Sequence, residues 1–208
     1  MPNQLDRLVL FARNFFKYPL MIGWPLPSSR FLIDEVLKWV AWDRAKVIVE
    51  YGPGVGSFTV EILRRMRPEA RLIAVETNED FVRFLQETLL DPRLHLIHGS
   101  ATEVDKFLPQ LGFAKADYVI SGIPFKTVPE DVRQGIMRAT SAVLQPHGAC
   151  LYYNFSSRVG PYLDRTFGKV QRDFELLNVL PARLYFCTQP NGNGASHRAN
   201  GEISGLRD

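Results

Sequence analysis

The strongest constraint on the fold is a short segment in which an apolar run meets three closely spaced glycines. Val47–Val49 form a β-rich run, and Gly52, Gly54 and Gly56 follow before a helical pattern begins. Glycine lets the backbone turn sharply and lets a ligand come close, because no Cβ stands in the way. The segment therefore predicts a strand, a tight turn and a helix, with a ligand bound where the strand ends.

Short β-rich runs alternate with longer helical patterns from about Lys46 onward, which predicts an α/β fold with a doubly wound parallel sheet. The predicted strands are Val47–Val49, Leu72–Val75, Leu94–Ile97, Tyr118–Ile120 and Leu151–Tyr153. The predicted helices between them are Phe58–Met66, Glu79–Leu90, Val104–Leu108 and Glu130–Leu144. Two further runs, Phe174–Leu180 and Arg183–Cys187, flank Pro181-Ala182, which predicts an antiparallel hairpin at the sheet edge.

Two amphipathic helices are expected before the sheet. The first is Leu5–Lys17, and the second begins at a capping serine, Ser28 or Ser29, and runs to about Val40. We divide the chain into an N-terminal helical extension (1–45), a ligand-binding domain (46–188) and a disordered polar tail (189–208).

Composition and charge limit the classes of protein. At 46% hydrophobic residues the chain of 208 can bury a core, and its net charge is only +3. Residues 1–46 hold seven basic and four acidic residues, so the whole excess lies there. We see no signal-peptide pattern and no apolar run that reaches the ~18 residues of a membrane span. We therefore expect a cytoplasmic protein, either soluble or peripheral to a membrane, with Cys150 and Cys187 as buried thiols.

Two carboxylates accompany the glycine turn. Glu50 precedes it, and Glu76 ends the next predicted strand, 24 positions after Gly52. A carboxylate in that place can accept both ribose hydroxyls of a bound nucleoside. The spacing fits NAD as well as S-adenosylmethionine, although in the NAD motif the third glycine comes one residue later; a turn without any nucleotide is the third interpretation.

The fourth predicted strand ends in Ser121 and Gly122 and is followed by Ile123, Pro124 and Phe125. Small residues leave a gap beside a cofactor, and the aromatic ring can orient an incoming amine. The alternative for Phe125 is ordinary core packing. No metal is predicted, because His98 lacks a partner at ligand spacing.

These motifs carry a resemblance to a known family. The segments EYGPGVGSFT, AVETN, HGSATEV and SGIPF, preceded by FFKYP and a P-x-P-S-S stretch, resemble the bacterial phospholipid N-methyltransferases over about residues 10–188. The resemblance implies a Rossmann-like class I methyltransferase with a seven-stranded, mostly parallel sheet and S-adenosyl-L-methionine as cofactor. Phe125 and Trp24-Pro25 depart from the family pattern.

The resemblance also implies site residues. The cofactor set is Glu50, Tyr51, Gly52, Gly54, Gly56, Glu76, Thr77, Ser100, Ala101, Ser121 and Gly122. The aromatic set expected to hold the amine is Tyr18, Phe125 and Tyr153, with core packing as the alternative for each.

The implied reaction is methylation of the amine of phosphatidylethanolamine at a membrane surface, with its mono- and dimethyl derivatives as further substrates. Alternatives are an ornithine-lipid N-methyltransferase, an enzyme like the rRNA adenine N6-dimethyltransferases, or a silent binding domain. We expect a monomer whose residues 5–17 contact anionic lipid or, alternatively, cover the sheet, and we expect no nucleic-acid partner. The sequence leaves the headgroup and the number of methyl groups open.

Overall fold

A computed structural model describes Val9, residues 28–175 and residues 181–189 of the chain. The predicted helix at residues 5–17, apart from Val9, and the predicted site residue Tyr18 lie outside the described residues. So do residues 190–208 of the predicted tail.

A single mixed sheet organises the described residues. Its strands are Val47–Tyr51 (β1), Arg71–Glu76 (β2), Leu94–His98 (β3), Ala116–Ser121 (β4), Leu144–Asn154 (β5), Lys169–Glu175 (β6) and Ala182–Thr188 (β7). The helices are Arg30–Leu37 (α1), Ser57–Arg65 (α2), Glu79–Thr88 (α3), Val104–Gln110 (α4), Glu130–Val143 (α5) and Gly160–Thr166 (α6). The four helices predicted between the strands are confirmed to within two residues at each end.

The order of strands across the sheet is β3-β2-β1-β4-β5-β7-β6. The first five strands in the chain pair in parallel, whereas β7 is antiparallel to both β5 and β6. The sequence-based fold, a seven-stranded and mostly parallel sheet with a C-terminal antiparallel hairpin, is therefore confirmed. After β1 the order reverses direction, which opens a crevice between the carboxyl ends of β1 and β4.

The edge hairpin differs in detail from the prediction. Strand β6 begins at Lys169, five residues before the predicted start at Phe174, and Ala182, which was predicted to belong to the link, is the first residue of β7. Residues 176–180 of the predicted run lie outside the described residues. The physical reason is that β6 is an outer strand with mostly solvent-facing side chains. Its sequence KVQRDFE therefore lacks the apolar pattern on which the prediction depended.

The predicted second N-terminal helix is confirmed, although it ends at Leu37. The Ser29 hydroxyl caps it by accepting a hydrogen bond from the backbone N–H of Leu32 at 3.2 Å. The buried face of α1 packs into the same apolar cluster as Ile48 of β1 and Phe58 of α2. This helix therefore covers one face of the sheet, and a second cluster around α4, α5 and α6 covers the other.

The amino ends of β1 and β4 are tied together by one carboxylate. The Asp117 Oδ2 atom accepts hydrogen bonds from the backbone N–H groups of Lys46 at 2.8 Å and Val47 at 2.9 Å. We expect Asp117→Ala to lower the free energy of unfolding by about 1–3 kcal/mol, because two strand amides lose a charged acceptor. Urea denaturation measures this change. Asp117→Asn, which keeps an oxygen acceptor, is the matched control, and equal losses in the two variants would contradict the assignment.

Candidate functional site

A cavity of about 900 Å³ opens at the carboxyl ends of the strands, at the crevice between β1 and β4. Eight of the predicted site residues line it. They are Gly52, Gly54, Glu76, Thr77, Ser100, Ala101, Gly122 and Tyr153. The sequence motifs therefore converge on one cavity, although they are spread over about half of the chain.

The glycine turn after β1 has the conformation that its composition predicts. Gly52, Gly54 and Gly56 have φ angles of 68°, 56° and 78°, a region that other residues rarely adopt. Gly56 is also needed for space, because a Cβ there would lie 2.7 Å from Cδ2 of Leu85. Gly52 and Gly54 line the cavity, whereas Gly56 lies outside the lining and is the N-cap residue of α2.

Glu76 ends β2 and lines the cavity with only 7% of its surface exposed. Its carboxylate accepts hydrogen bonds from the backbone N–H of Gly54 at 3.0 Å and of Asn78 at 2.9 Å. Burial raises the pKa of Glu76, and these backbone hydrogen bonds oppose that shift. The carboxylate thus ties the glycine turn to the end of β2, and it also hydrogen bonds with the backbone and side chain of Thr77.

Glu50 does not line the cavity. It is 3% exposed, and its carboxylate accepts a hydrogen bond from the Thr59 hydroxyl at 2.8 Å. Burial is the main cause that raises its pKa to about 8, and the negative charge of Glu76 adds to the shift. The structure therefore places a carboxyl that is easily kept neutral directly beneath the glycine turn.

Three more predicted residues, Tyr51, Ser121 and Phe125, are buried and lie outside the lining of the cavity. The Tyr51 phenol accepts a hydrogen bond from the Thr140 hydroxyl at 3.3 Å. Phe125 makes edge-to-face contacts with Tyr152 and Tyr162, with ring centres 5.2 and 5.6 Å apart. Core packing, the alternative that the sequence left open for Phe125, is what its contacts show.

Of the predicted aromatic residues that are described, Tyr153 is the one that lines the cavity. It stands near the end of β5, its ring stacks on Phe58 at 4.5 Å, and Ser28 hydrogen bonds with its phenol. A Cβ on Gly122 would lie 2.3 Å from the phenol oxygen, so only glycine permits this approach. Burial raises the pKa of Tyr153 well above its ordinary range, and the phenol therefore stays protonated.

Asn154, the last residue of β5, also lines the cavity and was missed in the sequence analysis. Its Nδ2 donates a hydrogen bond to the carbonyl of Ile123 at 3.0 Å, and its Oδ1 accepts one from the N–H of Ser156 at 3.1 Å. It thereby joins the loop after β4 to the loop after β5. Its place directly after the predicted strand was the signal that could have found it.

Three basic residues around the cavity, Lys126, Arg158 and Arg183, were also missed. All three are solvent-exposed, and Phe155, which is 37% exposed, lies with them in the lining. Lys126 stands in the loop after β4, Arg158 in a short 3-10 turn after β5, and Arg183 near the start of β7, which lies between β5 and β6.

Two absences hold for the part of the chain that is described. Within residues 28–175 and 181–189 no group of His, Cys, Asp or Glu could hold a metal ion. In the same residues no helix has the length and apolar character needed to traverse a bilayer.

Comparison with known proteins agrees with this geometry. Residues 48–148 match the family described as "Methyltransferase domain". Over 180 residues the chain is 32% identical to an ornithine lipid N-methyltransferase of Singulisphaera acidiphila, and the match covers 86% of this chain and 94% of that protein. Over 122 residues it is 34% identical to the ribosomal RNA small subunit methyltransferase A of Clostridium perfringens, but that match covers 56% of this chain and 40% of the relative.

Solved structures share the fold. The N-methyltransferase NodS of Bradyrhizobium japonicum, in complex with S-adenosyl-L-homocysteine, gives a TM-score of 0.65 at 14% identity and covers 86% of this chain and 98% of that chain. A precorrin-6y C5,15-methyltransferase of Geobacter metallireducens gives a TM-score of 0.65 at 16% identity, with 79% of this chain and 90% of that chain covered.

The close approach of Tyr153 to Gly122 generates a double-mutant test. We expect Gly122→Ala to lower the free energy of unfolding by about 1–3 kcal/mol, because the new methyl group would overlap the phenol. Adding Tyr153→Ala should remove most of that penalty, so the two changes should be clearly non-additive in urea denaturation. Additive losses would show that the two residues do not meet.

The buried Glu50 generates a pH test on the cofactor-free protein. Its pKa of about 8 exceeds the ordinary 4.5, so between pH 5 and 8 the unfolded chain releases a proton that the folded chain keeps. The free energy of unfolding then falls as pH rises, by up to about 1.4 kcal/mol per pH unit from this group. Glu50→Gln lacks this contribution, so its stability relative to wild type should increase from pH 5 to pH 8.

Glu61→Gln is the matched control for this pH test. Ion pairs lower the pKa of Glu61 to about 2, so folded and unfolded chains are both ionised there across pH 5–8. Its stability relative to wild type should stay constant over that range. Parallel stability curves for wild type and Glu50→Gln would contradict the buried, neutral carboxyl.

Proposed function

Since the chain belongs to the class I S-adenosylmethionine-dependent methyltransferase superfamily and is an N-methyltransferase, we propose that it methylates the primary amine of a membrane lipid. We propose an ornithine lipid as the first candidate substrate. The observation that carries the proposal is the position of Tyr153, whose phenol reaches over Gly122 into the cavity that Glu76 also lines.

The cavity residues at the ends of β1, β2 and β3 fit the cofactor S-adenosyl-L-methionine. Gly52 and Gly54 present backbone without a side chain, and Glu76 offers a carboxylate for ribose hydroxyls. Thr77, Ser100 and Ala101 complete this part of the lining, which we call the cofactor half together with Gly52, Gly54 and Glu76. When bound, the cofactor supplies an electrophilic methyl group on a sulfonium sulfur.

The chain's own residues must hold a neutral amine in line with that methyl group. A lipid ammonium has a pKa near that of lysine, roughly 10, so it must lose a proton before its lone pair can form the new N–C bond. The phenol of Tyr153 stays protonated, so it acts as a hydrogen-bonding group that orients the amine and not as the base. Its ring and the stacked Phe58 ring can also hold the cationic methylated product.

The loop that faces the amine is held in place from two sides. Asn154 fixes the carbonyl of Ile123, and Gly122 lets the phenol lie against the backbone of the same loop. Positioning of this kind is the main contribution that a protein makes to an in-line displacement. We therefore assign Asn154 as a positioning residue and Tyr153 as the residue that contacts the amine.

The resemblance in sequence implies phosphatidylethanolamine as the main substrate and an ornithine lipid as the alternative. The similarity to an ornithine lipid N-methyltransferase spans nearly the whole of that relative and supports the alternative better. The similarity to the rRNA enzyme is confined to less than half of that protein, so the rRNA function receives weaker support. Residues 5–17 remain our proposed contact with an anionic membrane, and the peripheral location and monomeric state are likewise proposals.

The direct test incubates the protein with labelled cofactor and with neutral phosphatidylcholine vesicles, each preparation of which contains one amine lipid. We expect methyl transfer to ornithine lipid with a higher kcat/KM than to phosphatidylethanolamine, and no transfer to RNA. Glu76→Ala, which removes the proposed ribose contact, is the control for cofactor-dependent transfer. Label that appears in RNA or in a soluble amine, and not in either lipid, would refute the proposal.

A further inference from the structure

Charge is distributed unevenly around the cavity. Glu76 is the one acidic residue among the described residues that line it, and it stands at the end of β2. The basic residues Lys126, Arg158 and Arg183 stand on the opposite side, beyond β4. We call these three residues the basic half of the cavity.

The backbone brings the two arginines to the same edge of the sheet as the proposed amine position. Arg183 lies at the start of β7 and is the register partner of Asn154 in antiparallel β5, next to Tyr153. Arg158 follows two consecutive turns, in which Asn154 accepts from the N–H of Ser156 and the Ser156 hydroxyl accepts from the N–H of Arg158 at 3.3 Å. Asn154 therefore contributes to the placement of both arginines, and it also holds the loop that faces the proposed amine position.

These three cations lack acidic partners among the described residues. Elsewhere in the described part of the chain, basic side chains commonly form ion pairs, as Arg93 does with Asp91 and Arg172 with Asp164. None of the basic half forms such a pair, and Arg183 instead lies 5.7 Å from the centre of the Phe174 ring. Cations that gather at one cavity without a counter-charge create a positive potential that attracts an anionic group.

The basic half is separate from the cofactor half. The cofactor half comes from the ends of β1, β2 and β3, whereas Lys126 follows β4, Arg158 follows β5 and Arg183 begins β7. Gly122 and Tyr153 lie at the ends of β4 and β5, the same two strands that Lys126 and Arg158 follow, and Arg183 lies on the next strand across the sheet. A molecule whose amine lies at Tyr153 and whose acidic group lies one short linker away would place that group at the arginines.

We propose that the basic half binds the anionic group of the lipid substrate, which makes Arg158 and Arg183 specificity-determining residues. The inference rests on the proposed function and adds the requirement that the amine lipid be zwitterionic. An ornithine headgroup would present its carboxylate and an ethanolamine headgroup its phosphate. Arginine forms bidentate hydrogen bonds with either anion, so the chemistry is shared.

The experiment pairs a change of charge on the protein with a change of charge on the lipid. Ornithine lipid is compared with its carboxyl methyl ester, and phosphatidylethanolamine with its phosphate methyl ester, each diluted in neutral non-ionic micelles. For the Arg158→Gln/Arg183→Gln variant we expect kcat/KM to fall about 10- to 100-fold on the free acid of the preferred lipid. On the matching ester, the variant and the wild type should agree within about twofold.

The controls separate this role from the alternatives. Arg138→Gln removes the same charge from an exposed arginine that does not line the cavity. It should leave kcat/KM unchanged both on the free acid and on the matching ester. The affinity for S-adenosyl-L-homocysteine, measured by calorimetry, should be unchanged in the double variant, which also shows that the variant is folded. A tenfold loss of that affinity would assign the arginines to the cofactor and overturn the inference.

The remaining outcomes are distinct. Equal losses on acid and ester, or no loss on either, overturn the anion site while the proposed function stands. A wild-type protein that methylates no amine lipid overturns the proposed function and the inference with it. A loss confined to the ornithine pair identifies a carboxylate, and a loss confined to the phosphatidylethanolamine pair identifies a phosphate.

Discussion

The pairing of β1 with β2 on one side and with β4 on the other is the constraint on which the site depends. From β1 the chain continues to β2 and β3 on one side, and from β4 it continues to β5 on the other side. Because the two connections run in opposite directions across the sheet, neither covers the gap at the carboxyl ends of β1 and β4. The glycine turn fills only part of that gap, since three of its five residues carry no side chain. Glu76 closes it from one side by accepting a hydrogen bond from Gly54, and Tyr153 closes it from the other over Gly122.

Local patterns predicted the parts of the fold that local physics determines. The buried parallel strands are continuous apolar runs, and the positive φ angles of the glycine turn leave few other residue types possible. The outer strand β6 escaped prediction because its side chains face solvent. Similarly, Glu50 and Ser121 match the motifs in sequence, yet their burial behind the cavity lining depends on packing that no motif encodes.

The residues missed in the sequence analysis lie where the chain meets the cavity by different routes. Asn154 and Arg158 reach it at and just after the carboxyl end of β5, whereas Arg183 reaches it because β7 returns antiparallel to β5, which places residues about 30 positions apart side by side. The result is one cavity with a carboxylate at the cofactor half, and with the phenol of Tyr153 and three cations at the ends of β4, β5 and β7. That sequence of charges fits a nucleoside cofactor on one side and an amine that carries an acidic group on the other.

The most direct measurement is a crystal structure of the protein with S-adenosyl-L-homocysteine and a short-chain ornithine lipid. We expect the ribose hydroxyls on Glu76, the lipid amine beside the phenol of Tyr153 and facing the cofactor sulfur, and the carboxylate at Arg158 and Arg183. Ribose bound away from Glu76, or an amine bound outside the cavity shared by Tyr153 and Gly122, would contradict this expectation.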